Sequence, residues 1–240
     1  MITISNFNLN GWEYLLIFLV ICWIINCMEG NGLVIVYTGK GKGKTTAALG
    51  IALRAVGHNH KICMIQFIKG SWHYGEMTSS KLLEPQFELV AVGKGFVGIL
   101  DDKSPREEHI KIACEAVRIS REKIQSKKYD VIILDEINYA VNLGLIEVSA
   151  VLDLIKIKPS NLNLVLTGNY ASDEIINVAD LVTEMKEIKH PFQTGIKQKK
   201  VLITKQNIKL HIKKFRTNVN QSARTTRSRR DCCCNNCQSF

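Results

Sequence analysis

Between Leu33 and Thr46 the chain reads Leu-Val-Ile-Val-Tyr-Thr-Gly-Lys-Gly-Lys-Gly-Lys-Thr-Thr, a set of residue types able to hold a polyphosphate. Gly39, Gly41 and Gly43 permit positive φ and let backbone N–H groups face one concave nest. Lys40, Lys42 and Lys44 surround that nest with positive charge. A helix beginning near Lys44 adds the partial positive charge of its N-terminus, and Lys44 itself can reach phosphate oxygens. The hydroxyl of Thr45 suits a Mg²⁺ ligand, with Thr46 beside it. The pattern is G-x-x-x-x-G-K-[ST] with Thr38 standing at its first glycine. A surface turn of glycine and lysine would not need three alternating glycines next to a buried strand.

A second candidate follows downstream at Val131-Ile-Ile-Leu-Asp135-Glu136. An apolar strand ending in adjacent carboxylates presents them at the C-terminal edge of a parallel sheet, where ligands bind. After a phosphate loop, such acids hold Mg²⁺ directly or through water. The plainer alternative is a strand-end acid that caps a nearby helix. Thr45, Asp135 and Glu136 are therefore the expected metal set.

These residues need a scaffold, and the intervening sequence supplies an alternation. Leu33–Tyr37, Ile62–Ile68, Glu88–Val92, Val131–Leu134 and Leu162–Leu166 are β-branched or continuous apolar runs, the signature of strands buried on both faces. Thr45–Val56 is small and apolar, as suits a helix on a sheet. Ser104-Pro105-Arg106-Glu107-Glu108 reads as a helix start, and Ile110, Ala113, Cys114, Val117 and Ile124 recur on one helical face. Val148–Ile155 and Asp173–Ala179 are further helices. The expected fold class is α/β, a parallel sheet of the P-loop NTPase type with helices on both faces.

Composition sets the outer bounds. At 46% hydrophobic and 22% charged, the 240 residues exclude wholesale disorder or a fibrous repeat. The net charge of +10 belongs to the end of the chain. Residues 198–240 carry 11 Lys and Arg against the single acid Asp231, so positions 1–197 balance to zero. Cys63 and Cys114 are the cysteines of the middle, too few for a disulfide framework, so residues 28–197 read as a reduced, cytoplasmic domain.

Residues 1–27 contain the apolar run Leu15–Ile25, which as a helix would span about 16 Å against a hydrocarbon core of roughly 30 Å. A weak membrane anchor, a buried or dimer-forming helix, and a non-native extension upstream of Met28 are all open. Residues 198–240 end in Asp231-Cys-Cys-Cys-Asn-Asn-Cys237. Three adjacent cysteines do not fit the C-x₂₋₄-C pairing of structural zinc, and the basic stretch lacks interleaved aromatics. A disordered or non-native appendage is expected there, and no nucleic-acid partner for the body.

With the loop and the acids in place, the chain resembles the P-loop corrinoid adenosyltransferases, which act on cob(I)yrinic acid a,c-diamide or cob(I)alamin. The likeness runs from Gly32 to Lys197 through Thr38–Ala48, Arg54–Gly57, Gln66–Trp72 with Gly75-Glu76, and Gly95-Phe96. It continues through Leu134–Tyr139, Leu166–Gly168, Ala179–Glu184, and Lys189–Phe192 with Gly195–Lys197. The resemblance implies that Co(I) of the corrinoid attacks the 5′ carbon of ATP and expels tripolyphosphate, with Mg²⁺ present. It implies a triphosphate reversed relative to ordinary P-loop ATPases, so that Glu136 serves the metal shell rather than activating water. It also implies that Phe96 helps to displace an axial cobalt ligand before reduction, although the second aromatic of some members is Gly98 here. Asn169 stands where the family often has arginine. An electron-donating flavoprotein and a homodimer are implied in the same way.

Two other classes compete. A P-loop ATPase or switch tethered by its termini to membrane or nucleic acid is disfavoured by the neutral body. A nucleotide or nucleoside kinase is disfavoured because the chain lacks an arginine-rich lid segment.

Overall fold

The computed structural model describes residues 30–69, 74–93 and 105–190, together with Trp12, Leu15 and Leu16. The expectations for residues 1–27 and 198–240 therefore lie outside the described residues, apart from those three isolated positions. So do the placements of Trp72, Phe96 and Gly98.

Six strands form one parallel sheet: β1 (Val34–Thr38), β2 (Ile62–Gln66), β3 (Phe87–Ala91), β4 (Val131–Asp135), β5 (Asn163–Thr167) and β6 (Leu181–Glu184). Their order across the sheet is β3-β2-β4-β5-β1-β6. The helices are α1 (Lys44–Gly57), α2 (Gly75–Leu82), α3 (Arg106–Gln125), α4 (Ile137–Asn142), α5 (Val148–Lys156) and α6 (Asp173–Val178). The α/β class with helices on both faces is the architecture observed, and every expected strand falls within two residues of its expected limits.

The burial of β2 and β4 explains their apolar sequences. Every residue of both strands is buried, since each strand lies between neighbours and under helices on either side. Alternate side chains divide the core in two. Cys63, Ile65, Ile132 and Leu134 face a large cluster with Ala113, Ala116 and Val117 of α3, Ala140 of α4, Val151 and Leu154 of α5, and Ile175 of α6. Ile62, Met64, Val131 and Ile133 face the opposite side, where Ala48, Ala52 and Ala55 of α1 approach at one-turn spacing. The small alanines let α1 lie close to the sheet, which brings its N-terminus directly to the end of β1.

Three elements escaped sequence reasoning. Helix α2 buries only Ser80, so it carries no apolar stripe to detect. Helix α4 has six residues, too few for a periodicity. Strand β6 is an edge with Leu181 and Val182 over a third exposed, so it lacks the hydrophobic contrast of its neighbours. At the start of α3, Pro105 occupies the cap position itself, and among the described residues no side chain caps the helix; Ser104, the serine expected to cap it, lies outside them.

Candidate active site

Because all six strands are parallel, the loops after them gather at one edge, and the candidate residues of β1 and β4 meet there. The glycine loop runs from Thr38 to Lys44. Gly39 and Gly43 have φ of 94° and 108°, conformations that favour glycine. Gly41 is different: it does not adopt positive φ, so the conformational reason expected for it is corrected. Its missing side chain makes room for the segment after β6, because a Cβ there would lie 2.6 Å from the Met185 carbonyl oxygen. The Gly41 N–H donates to that same carbonyl at 2.6 Å.

Thr38 fits the position of the usual first glycine by making contacts of its own. Its Oγ1 accepts from the Ala171 N–H at 3.0 Å, and its carbonyl accepts from the Met185 N–H at 2.8 Å. The loop is thus braced by the segments that follow β5 and β6.

Lys44 is buried, and its ammonium donates to the carbonyls of Gly39 and Gly41, both at 2.7 Å. Burial lowers its pKa, opposed by Glu136, and burial likewise lowers that of Lys42. Lys40 places its ammonium 5.9 Å from the ring centre of Tyr170. Thr46 is exposed on the first turn of α1.

The acids at the end of β4 are held closely. Asp135 is fully buried and accepts at Oδ1 from Thr45 Oγ1 at 2.8 Å and from Thr167 Oγ1 at 2.7 Å. Its Oδ2 receives Lys69 Nζ at 3.0 Å and Gln66 Nε2 at 3.4 Å. Thr45 on α1 and Asp135 on β4 are therefore in direct contact. Glu136 adopts φ of 64°, unusual for a residue with a side chain, and its N–H donates to Thr167 Oγ1 at 2.9 Å. Burial, with Asp135 nearby, pushes the Glu136 carboxyl up to about 7 despite the opposing Lys69, Lys44 and Lys42.

Lys69 and Thr167 are site residues that sequence reasoning did not single out. Lys69 is 5% exposed and bridges Asp135 to Glu76 of α2, with 3.0 Å to each, while its ammonium lies 5.6 Å from the centre of the Tyr74 ring. Burial alone would lower its pKa, but Asp135 and Glu76 outweigh that and hold it up. Thr167 links both acids through one hydroxyl. Gly168, with φ of 132°, gives α4 clearance: a Cβ there would meet the Tyr139 nitrogen at 2.7 Å. The signal for these residues lies in register, since Gln66 pairs with Asp135 and Leu134 with Leu166 across the sheet.

Thr45, Asp135 and Glu136 offer only oxygen donors, the chemistry of a hard cation such as Mg²⁺. Among the described residues no group of three or more His, Cys, Asp or Glu side chains forms a self-contained metal cage.

A sequence model for the family described as ATP:corrinoid adenosyltransferase BtuR/CobO/CobP matches residues 30–202. The chain belongs to that family. A corrinoid adenosyltransferase of Sinorhizobium sp is 40% identical over 174 residues, covering 70% of this chain and 78% of that protein. Corrinoid adenosyltransferases of Escherichia coli (strain K12) and Salmonella typhimurium, the latter called CobA, are each 34% identical, covering 72% of this chain and 86% of theirs. In structure the chain is similar to the flagellar accessory protein FlaH of Methanocaldococcus jannaschii, with TM-score 0.43, 12% identity, and coverage of 65% and 71%. The corrinoid adenosyltransferase match takes in the whole glycine loop, the Asp135 cluster and the position of Phe96. Among the described residues of this adenosyltransferase, no helix is long and apolar enough to cross a membrane.

Proposed function

We propose that the chain transfers the 5′-deoxyadenosyl group of ATP to the Co(I) of a corrinoid, cobalamin or cobyrinic acid a,c-diamide, and releases tripolyphosphate. The observation that carries this reading is the contact between Thr45 Oγ1 and Asp135 Oδ1, which joins the glycine loop to the strand-end acids in a chain of this family. The cobalt electron pair forms the new bond to C5′ as the C5′–O bond breaks, and that bonding pair departs on the tripolyphosphate oxygen. Cobalt is formally oxidised by two electrons, and no water is consumed.

The roles follow from the demands of that leaving group. The nest of Gly39, Lys40, Gly41, Lys42 and Gly43, with Lys44, Thr45 and Thr46, binds the triphosphate and leaves its charge facing fixed donors. Lys44 exchanges the carbonyls of Gly39 and Gly41 for phosphate oxygens. Thr45, Asp135 and Glu136 would hold a Mg²⁺ ion, which would supply positive charge against the departing polyphosphate. Burial holds the Glu136 carboxyl protonated more readily than usual, so it would have to give up that proton to ligate the ion. Phe96 excludes the axial ligand from cobalt before reduction by an electron-donating flavoprotein. The working unit is residues 28–197, cytoplasmic and paired as a homodimer.

Anaerobic incubation with chemically reduced cobalamin, Mg²⁺ and ATP tests the reaction. The expected product absorbs as an alkylcobalt species, loses that absorbance on illumination, and appears with an equal amount of tripolyphosphate. Orthophosphate release with no light-sensitive product would overturn the reading.

A further inference from the structure

The hydrogen-bond ledger of the active edge has one conspicuous deficit. Asn138 is fully buried, yet neither its Nδ2 nor its Oδ1 has a hydrogen-bond partner. A buried carboxamide with both ends unmet destabilises a fold, and such groups are rare unless something outside the chain meets them. Nothing in the local architecture calls for an amide here. Asn138 sits in the first turn of α4, flanked by Ile137 and Ala140, which pack into the main core. An apolar residue of similar volume would satisfy that turn.

Its location narrows the purpose. Asn138 lies three residues beyond Asp135 and two beyond Glu136, over the end of β5, where a Cβ on Gly168 would come within 3.1 Å of the Asn138 Cβ and backbone nitrogen. Two further buried polar atoms without partners lie along the same sheet edge. Gln66 Oε1 belongs to the residue paired across the strands with Asp135. Ser172 Oγ belongs to the residue after Ala171, whose N–H is bonded to Thr38 at the mouth of the phosphate loop. Unmet polarity therefore surrounds the acids that the proposed reaction uses.

We propose that Asn138 is a substrate-recognition residue, whose carboxamide pairs with a neutral donor–acceptor edge of a substrate. This inference rests on the adenosyltransferase reading. Carboxamides make two parallel hydrogen bonds to a planar group that offers a donor beside an acceptor. The two substrates of the proposed reaction both carry this chemistry, ATP on the amino edge of its adenine and the corrinoid on its peripheral carboxamides. The amide is enclosed in the ligand-free chain, so the contact forms as substrate binding displaces what encloses it.

The test is Asn138→Leu, with Asn138→Ala as a second variant, in the full-length chain. KM is measured for ATP and for reduced cobalamin, alongside the thermal midpoint. The expected result is a rise of about tenfold in one of the two KM values, with a midpoint no lower than wild type in the Leu variant. Purine riboside triphosphate, which lacks the amino group, identifies the adenine: its disadvantage against ATP in the wild type disappears in the variants. A corrinoid with its side-chain amides hydrolysed to acids identifies the corrinoid by the same logic. Both KM values within twofold of wild type would overturn the proposal and make Asn138 a packing residue or the host of an internal water. Failure of both variants to fold would overturn it too. If the wild type forms no alkylcobalt product, the functional reading fails separately, and equilibrium titration of ATP and cobalamin against the same variants still decides the role of Asn138.

Discussion

The two ends of the sheet are built from similar residue types and put to opposite uses. At the N-terminal edge, polar side chains stitch backbone to backbone. Asp130 accepts from the Lys61 N–H at 2.7 Å, Asn163 accepts from the Leu33 N–H at 3.1 Å, and Asp180 accepts from the Val34 N–H at 2.7 Å. Lys158 donates to the carbonyls of Gly32, Pro159 and Leu162. At the C-terminal edge, side chains bond chiefly to one another around Asp135, Glu136 takes a left-handed backbone, and Gln66, Asn138 and Ser172 carry unmet polar atoms. One edge closes the fold. The other leaves buried polar atoms incompletely paired, the pattern expected where a ligand completes the structure.

The largest test of this contrast is Lys44→Ala. Its ammonium bonds only to two carbonyls of its own loop among the contacts observed, so the ligand-free fold gains little from it. The leaving tripolyphosphate, by contrast, depends on it. Loss of one preorganised charged donor lowers turnover by about a thousandfold. The expected outcome is that fall in kcat/KM with a thermal midpoint close to wild type. Wild-type turnover would remove Lys44 from the mechanism, and gross unfolding would show that the loop also supports the fold.

Lys69→Met reverses the balance, since it strikes a residue at the active edge that also holds structure. Lys69 is the buried cation between Asp135 and Glu76. Breaking a buried pair leaves its partner uncompensated, at a cost of about 3 kcal/mol. Urea unfolding should show that loss. Adding Asp135→Asn to Lys69→Met should cost less than the two changes separately, because the unpaired buried charge disappears. Additive losses would mean that the two side chains do not depend on each other.

What the sequence made legible divides along the same line. Continuous apolar runs revealed β2 and β4, and the glycine spacing revealed the phosphate loop, because local chemistry and local structure coincide there. Asp135 was legible because it ends an apolar strand. Lys69, Thr167 and Asn138 lay within the segments that carry the resemblance but were given no role, because each gains its meaning from strands or turns brought together by register rather than by spacing. The glycine at position 41 was legible as a glycine but not in its reason, since the Met185 carbonyl that crowds it comes from the far end of the domain. Helix α2, held to the site through Glu76, offered no apolar pattern at all.

A pH-dependent effect is expected at Glu136. Its carboxyl is pushed up to about 7 from an ordinary value of 4.5 in the unfolded chain. Between those values the folded Glu136 binds more proton than the unfolded one, so its contribution to stability is fully present below pH 4.5 and is lost as pH rises through about 7. Glu136→Gln has no proton to lose. In the absence of metal and nucleotide it should match wild type near pH 4.5 and exceed it by about 3 kcal/mol at pH 8. Urea titrations at the two pH values measure this directly. An equal difference at both would show that the carboxyl ionises as it does in the unfolded chain.

The smallest expected effect belongs to the opposite edge, and it sharpens the contrast because it should leave catalysis alone. Asp130 bonds the Lys61 N–H through Oδ2, while its own N–H and carbonyl join Lys61 and Asn163 in the backbone pairing that opens β2, β4 and β5. Asp130→Ala removes that side-chain bond and the exposed contact of Oδ2 with His60 Nδ1 at 3.5 Å. Its backbone partner is exposed and can turn to water, so the loss should be about 1 kcal/mol. Turnover and both KM values should remain at wild type, since the strand length separates Asp130 from Asp135. A fall in kcat without a matching fall in stability would mean that strain passes along β4 from one edge to the other, and the division of labour between the edges would have to be abandoned.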